Sequence, residues 1–577
     1  MPNSAPPRVF AIGLPHSGGA AVAALFEGNG YAWAHHKGGK LAQSMAYARA
    51  SGTAPLSQWL KFVGFSGLHR TNKRHLPPLV IQDHLEFLLT RFPDAYFIRT
   101  QRDPADWIAA RFWAEDGDHR IAAAWHAGVS EAALPAHWID EDAAHQAACA
   151  RLFGQNPRYI DFNVTSEPIE KLIDFLSADF TLTNSAPTPD MTVSAEQIDG
   201  VVNFLGAQPA ASSPPPADMT FAHEVAAFAA AKTGHSGKRK GLSGTAVTWE
   251  RDRTITDRFA NPVALHQAAA DMPFHLTPDS NGFERAQGTL NELMRYGAQP
   301  PLHIDMMDAR FIGTPTRRNP PHRTVAYNRR KGAKNLTLWP LPGYHTLAPT
   351  GQAGGFAHDT IPFEDKEDRC VWLGNMTGRM SDVLTPEGRP LRGVYNIRDQ
   401  AETLRDDSPD WAGVVADLLC VPRYNIVKTY RDHPDFEVGL VLRGRWKRLA
   451  QTPAFADLCH PKRPRTWFHQ FRYILSLAGN DTGSNFLSAA SSNALILKEE
   501  DGWELFYTDA FKPWVHYVPL IEGAQDVEEK LAWARAHPDK CKAMVTAAKA
   551  LFDAFANPNN RDAILRQITS KLNADLG

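Results

Sequence analysis

FRYILSLAGNDTGSNFLSAASSNALILKEEDGWELFYTDAFKPWVHYVPL, residues 471–520, sets the reading of the whole chain. The apolar run 473–477 reads as a buried strand, the small-residue stretch 486–492 as a short helix, and 494–498 as a second strand. Between the first strand and the helix lies a polar loop, Gly479-Asn480-Asp481-Thr482-Gly483-Ser484-Asn485. Glycine lets a backbone approach a ligand closely, and a helix N-terminus behind it turns free N–H groups toward an anion. Ser484 or Asn485 is placed to cap that helix. Strand, glycine loop and helix in this order suit a nucleotide diphosphate. The aromatic loop 504–517 then offers ring faces to a base and a sugar. Within it, His516 either hydrogen-bonds a phosphate or ribose or is a buried histidine satisfied by backbone.

The rest of the chain is consistent with a multidomain globular protein. At 577 residues it exceeds what one hydrophobic core supports. Lys plus Arg number 61 and Asp plus Glu 63, a net charge of −2, which argues against a general nucleic-acid or membrane-surface binder. No apolar run reaches the roughly 18 residues needed to span a bilayer. The opening MPNSAPPRVFAIGLPHSGG has neither the basic nor the apolar region of a signal peptide. Five cysteines (Cys149, Cys370, Cys420, Cys459, Cys541) are scattered without metal-ligand spacing or a disulfide framework, so a reduced, cytoplasmic compartment is expected. The 23 histidines include no HExxH, and no metal is expected.

Along the chain, residues 1–183 alternate strand, loop and helix: 9–12 and 95–100 read as buried strands, 20–27 and 105–113 as helices. Residues 184–245 are rich in Pro, Ala and Ser, with Pro214-Pro215-Pro216 at the centre, and read as a linker interrupted by a weak helix at 222–232. Two α/β halves follow, 246–365 and 366–577, the second closing with long helices at 527–537 and 540–556.

Residues 473–480 (YILSLAGN), the Ala/Ser helix, 494–498 and above all Lys512-Pro513-Trp514-Val515-His516-Tyr517-Val518-Pro519 resemble glycosyltransferase family 90, the capsule-associated and protein O-glucosyltransferase group. The bacterial, lipopolysaccharide-modifying branch is the most similar, because it also has GND followed by SN or TN. The resemblance implies an inverting transferase of two Rossmann-like halves (GT-B) that needs no catalytic metal. It implies a general base on an early strand, matched by Asp308 in LHIDMMDAR, with Asp305 as the alternative and Arg310 as a neighbour. The family's W-R-G-x-x-T-G stands here as Trp372-Leu373-Gly374-Asn375-Met376-Thr377-Gly378-Arg379, so Gly374, Thr377 and Gly378 match and Leu373 replaces an arginine. A second family cation, after the glycine loop, is replaced at Asn485. Arg379, Arg423, Lys428 and Arg472 are the candidate substitutes, and Arg423 is favoured because it heads a family-like stretch, RYNIVKTYRDHPDFEVG.

RVFAIGLPHSGGAAVAALFEGNGY and FPDAYFIRTQRDPADWIAA resemble the two phosphate-binding signatures of sulfotransferases, whose P-loop holds PAPS. His16, Ser17, Gly18, Gly19 and Arg102 occupy the binding positions. His16 stands for an Arg or Lys, Gly19 and Ala20 for hydroxyl residues, and Ala110 for a serine. The expected fold is thus α/β: an N-terminal P-loop sulfotransferase-like domain followed by a GT-B glycosyltransferase. The expected activity is transfer of a sugar from a UDP-sugar to a hydroxyl of a surface glycan such as lipopolysaccharide, capsule or exopolysaccharide, with peripheral access to a membrane-linked acceptor. Two alternatives remain: a bifunctional enzyme that also uses PAPS, and a non-catalytic glycan- or nucleotide-binding protein.

Overall fold

The computed structural model describes residues 6–184, 193–206, 214–265, 274–277, 282–308, 312–314, 318–350 and 355–576. Arg310 and the linker stretches 185–192 and 207–213 lie outside them. The N-terminal unit has a five-stranded, all-parallel sheet in the order Trp33–His35, Gly64–Ser66, Val9–Ala11, Tyr96–Gln101, Tyr159–Asn163. The first strand is central, and Val9, Phe10 and Ala11 are buried on both faces, as a parallel sheet between helices requires. Helices Gly19–Gly28 and Pro104–Phe112 follow the strands from which they were expected.

The C-terminal unit's sheet is likewise parallel, in the order Phe436–Leu440, Glu367–Gly374, Phe471–Ser476, Leu495–Glu499, Val518–Leu520. Strand alternation divides its side chains between two cores. Val371, Ile474 and Ile496 pack toward helices Phe486–Ala490 and Pro538–Ala556. Cys370, Trp372, Tyr473, Leu475 and Leu497 pack toward Val394–Ala401, Trp411–Leu419, Pro422–Tyr430 and Val527–Ala536.

The middle unit differs from a fully parallel half. Its seven strands run Leu336–Leu338, Thr324–Ala326, Leu302–Ile304, Val247–Trp249, Ile255–Asp257, Pro262–Leu265, His275–Leu276, and only the first three are mutually parallel. The physical reason is connection length. Only residues 250–254 and 258–261 separate successive strands there, enough for hairpins but too few for the crossover that parallel neighbours need.

Two helices flank the proline-rich segment, and both are docked. Ala195–Gly206 lies on the N-terminal unit, where Phe204 meets Phe112 edge-on and the Arg120 guanidinium covers it. The expected weak helix forms at Met219–Ala229, and its Ala222, Val225, Ala226 and Ala229 are buried in the core of the middle unit against the C-terminal helix Pro558–Ala574. That final helix also receives Arg323 Nε on the Leu572 carbonyl at 3.0 Å and pairs Arg561 with Glu292. It thereby fastens the end of the chain to the middle unit. The N-terminal unit leans on the same body: Gln43 Nε2 donates to the Thr277 carbonyl at 3.2 Å, and Arg74 to the carbonyls of Thr346 and Gly343. Among the described residues no helix is long and apolar enough to cross a membrane.

Ala226 has no room for a larger side chain. Ala226→Leu is expected to overpack that helix contact and cost about 1–3 kcal/mol, seen as a lowered midpoint in urea unfolding, whereas Glu224→Ala on the exposed face stays within about 0.5 kcal/mol.

Candidate active site

A cavity of about 730 Å³ opens between the middle and C-terminal units. Its walls are strand ends. From the middle unit come Met306–Asp308, directly after the strand Leu302–Ile304, together with Arg285 and Arg330. From the C-terminal unit come residues 377–382 after Glu367–Gly374, residues 478–480 after Phe471–Ser476, Glu499 and Asp501 at the end of Leu495–Glu499, and Glu522 after Val518–Leu520. The crevice at the carboxyl ends of parallel strands is where open α/β sheets bind ligands.

Two glycine loops form its floor at van der Waals contact or closer. A Cβ on Gly378 would meet the Gly479 carbonyl oxygen at 2.7 Å, and one on Gly479 would meet Thr377 Oγ1 and the Arg423 guanidinium at 2.7 Å. Gly378 also has φ +112°, a conformation other residues adopt only under strain. Its N–H donates to Asn480 Oδ1 at 3.0 Å, tying one loop to the other.

Arg423, favoured from sequence as a diphosphate cation, has a different task. It donates to the carbonyls of Ala478 (2.8 Å), Asn375 (3.1 Å) and Leu477 (3.1 Å) and to Thr377 Oγ1 (2.5 Å). Burial pushes its pKa down to about 10. A guanidinium with its donors committed to both loops braces the floor from behind. The cations that line the cavity are Arg285, Arg330, Arg379 and Arg392.

The remaining loop residues divide. Gly479 and Asn480 face the cavity with Thr377, Gly378 and Arg379. Gly374 is packed against the Trp372 ring, and a Cβ on Gly483 would strike Ser476 Oγ at 2.3 Å, so both glycines serve chain packing. Thr482 is buried, Ser484 faces solvent, and Asn485 donates Nδ2 to the Leu475 carbonyl at 2.7 Å instead of capping. The helix behind the loop has five residues, too short to supply the expected dipole. Of the two readings of His516, the backbone contact is the one present: its Nδ1 accepts from the Lys512 N–H at 2.9 Å, closing a turn away from the cavity.

Asp308 lies on the wall opposite the glycine loops. Its Oδ1 accepts from Arg285 Nη1 at 2.7 Å and from the Tyr327 hydroxyl at 2.6 Å, and Asn480 Nδ2 approaches Oδ2 at 3.4 Å. Burial opposes its ionisation, but the hydrogen bonds from Tyr327 and Arg285 and the Arg285 charge outweigh burial and hold the carboxyl below its ordinary 3.8. Asp305, the alternative, is buried and receives Ser243 N–H and Oγ–H at 3.0 and 2.7 Å, a role in holding the 243–245 loop. Tyr327, Asn328, Arg285 and Arg392 were not read from the sequence. The signal that marks Tyr327 and Asn328 is their place immediately after the strand Thr324–Ala326.

The N-terminal unit holds a second cavity, about 170 Å³, bounded by His16, Gly18, Gly19, His35, His36, His69, Arg102 and His119. It is smaller than the roughly 300 Å³ at which ligand pockets begin. Burial, then the charges of Arg111, His36 and Arg102, push His16 down to about 4, so it is neutral at pH 7. Arg102 is held by Asp106 at 2.5 Å, and Ser17 Oγ by Thr100 Oγ1 at 3.0 Å. Among the described residues no group of three His, Cys, Asp or Glu side chains is placed to hold a metal ion.

Part of the cavity's C-terminal wall lies in a stretch that a family model matches. Residues 463–556 match the family model described as Glycosyl transferase family 90, a stretch that contains the strand Phe471–Ser476, the glycine loop and the strand Leu495–Glu499. A protein of Dichelobacter nodosus named O-glucosyltransferase LpsA is 29% identical over 137 residues, 24% of this chain and 41% of that protein. Protein O-glucosyltransferase 3 of Mus musculus is 28% identical over 75 residues, 13% of this chain and 15% of that protein. The uncharacterized protein 035R of Invertebrate iridescent virus 3 is 27% identical over 106 residues, 18% and 9% of the two chains. The chain spans less than half the length of each of these curated relatives. The matched domain and the two named transferases support a glycosyltransferase.

Arg423→Ala strips several buried acceptors of their donor. It is expected to cost about 3 kcal/mol or more and to lower the thermal unfolding midpoint, while Arg379→Ala, at the exposed rim, stays within about 0.5 kcal/mol.

Proposed function

We propose that this protein is an inverting glycosyltransferase that moves a sugar from a UDP-sugar to a hydroxyl of a glycan acceptor. The observation that carries the proposal is the position of Asp308: an ionised carboxylate on one unit facing two apposed glycine loops on the other across a nucleotide-sized cleft. Sugar transfer needs a base for the acceptor hydroxyl, positive potential for the departing diphosphate, and walls that hold the sugar between them. Asp308 supplies the first. The backbone of Thr377–Arg379 and Gly479 on the opposite wall suits the second, with Arg379 and Arg392 beside it in pairs with Asp382 and Asp417. In this reading the acceptor oxygen loses its proton to Asp308 as it attacks the anomeric carbon. The leaving oxygen departs from the opposite face with the bonding electron pair, which inverts the centre.

The names of the relatives favour glucose as the sugar, and the bacterial relative and the lipopolysaccharide-branch sequence features favour a surface glycan as the acceptor. The acceptor then enters from the side of the middle unit, where Met307 is exposed beside Asp308. Sulfate transfer from PAPS at the N-terminal cavity finds less support, because His16 is neutral and Arg102 is engaged by Asp106.

Asp308→Asn keeps the shape of the site and removes the base. Transfer to a glycan acceptor is expected to fall by about 10²–10⁴-fold while the thermal shift given by UDP persists; full transfer by this variant overturns the assignment. Because the carboxyl lies below its ordinary value, kcat/KM is expected to show no acid limb from Asp308 between neutrality and 3.8, and to fall only as pH drops through the lowered pKa.

A further inference from the structure

Tyr327 stands between two carboxyl groups from opposite sides of the cleft. Its hydroxyl is 2.6 Å from Asp308 Oδ1 and makes a shorter contact with Asp481 Oδ2. Asp308 and Tyr327 belong to the middle unit, and Asp481 to the glycine loop of the C-terminal unit. A phenol carries a single proton. It can donate to one of the two carboxyls, and the other oxygen–oxygen contact needs a proton of its own. Without one, two sets of lone pairs face each other at hydrogen-bond distance beside a buried phenol.

The surroundings decide which carboxyl carries that proton. Asp308 Oδ1 also accepts from the Arg285 guanidinium at 2.7 Å, which favours the ionised form. Asp481 Oδ2 has a neutral donor, Asn328 Nδ2, at 2.6 Å. Its other neighbours repel a charge or have their donors committed. Burial, Asp308 and Asp501 push the Asp481 carboxyl above its ordinary 3.8, against the hydrogen bonds from Tyr327 and Asn328. Arg423 is spent on the two loops, and Tyr507 is a buried phenol whose own ionisation Asp481 opposes.

We propose that Asp481 is a neutral carboxylic acid that donates its proton to the Tyr327 oxygen, while the Tyr327 proton goes to Asp308, so that Tyr327 and Asp481 are positioning residues for the base. The proposal deepens the reading of Asp308 as that base and rests on it for its catalytic consequence. Arg285 and Tyr327 together occupy Oδ1, which leaves Oδ2, approached by Asn480 at 3.4 Å, to receive the acceptor proton. The proton balance is simple. The acceptor O–H proton moves to Asp308 Oδ2 as the new glycosidic bond forms, and it leaves to water once the product has gone; the Asp481 and Tyr327 protons stay in place. The chain of three also crosses the cleft, so it is complete only while the two walls are together. Deprotonating Asp481 sets two carboxylates on one phenol across the cleft and disrupts it.

Infrared difference spectroscopy on the intact protein tests the protonation directly, without any transfer assay. At neutral pH, wild type minus Asp481→Asn is expected to show one carboxylic-acid C=O band, with the buried Glu499 and Asp501 cancelling because both proteins contain them. If Asp481→Asn does not fold, wild type minus Asp481→Ser substitutes, in which Glu499 and Asp501 cancel in the same way. A carboxylate band alone at neutral pH in either experiment overturns the proposal. Transfer kinetics test the consequence. Tyr327→Phe is expected to lower kcat about tenfold or more with KM little changed, and wild type to show an alkaline limb in kcat/KM that is displaced in Asp481→Asn. An unchanged kcat in a folded Tyr327→Phe protein overturns the positioning role. An acid band on Asp481 together with full transfer by Asp308→Asn would sink the base assignment and leave the shared proton standing.

Discussion

Backbone carbonyls at the carboxyl end of a parallel sheet need donors, and here one guanidinium provides them. Arg423 reaches Asn375, Leu477 and Ala478 and the Thr377 hydroxyl at once. It draws the loops after two neighbouring strands so close that glycine is required at 378 and 479. The cavity floor exists because of that contact. An unsatisfied buried acceptor costs about 1–3 kcal/mol, so losing the arginine would release both loops together.

The opposite wall is held by charge. Asp308 sits where Arg285 and Tyr327 reach it from its own unit and Asn480 approaches from the other, with Asp481 bonded to the same Tyr327 hydroxyl. A carboxylate in that position is already ionised and oriented before substrate arrives, which removes part of the reorganisation a proton transfer otherwise needs. The same polar contacts bridge the two walls, so the geometry of Asp308 and the approach of the walls are one physical problem. The C-terminal helix Pro558–Ala574, buried against Met219–Ala229, strengthens this by returning the end of the chain to the middle unit.

The N-terminal unit has a glycine turn between strand and helix beside a cavity whose titratable lining is largely uncharged. The strand, the left-handed Gly18 and the helix Gly19–Gly28 are all formed. The polar positions around them are filled with histidines that burial and mutual repulsion keep neutral, and Arg102 is turned to Asp106. Backbone geometry of this kind depends on glycine and strand packing, whereas anion affinity depends on fixed cations.

Local pattern was enough for two strands of each parallel sheet, 9–12 and 95–100 in the first and 473–477 and 494–498 in the second. The runs read as buried strands at 9–12, 95–100 and 473–477 became strands within a residue or two, because a strand buried on both faces is largely apolar. Motif context was enough to bring Asp308, Thr377, Gly378, Arg379, Gly479 and Asn480 to one cavity. It failed for Arg423 and residues 482–485, since whether a polar side chain faces a ligand or a carbonyl is set by its tertiary partners. Arg423 and Leu477 are 54 residues apart, and Tyr327 and Asp481 are 154 apart. The sequence alone determined which segments are strands, loops and helices; the tertiary structure alone decided which of their polar groups remain for substrate after the buried backbone has been satisfied.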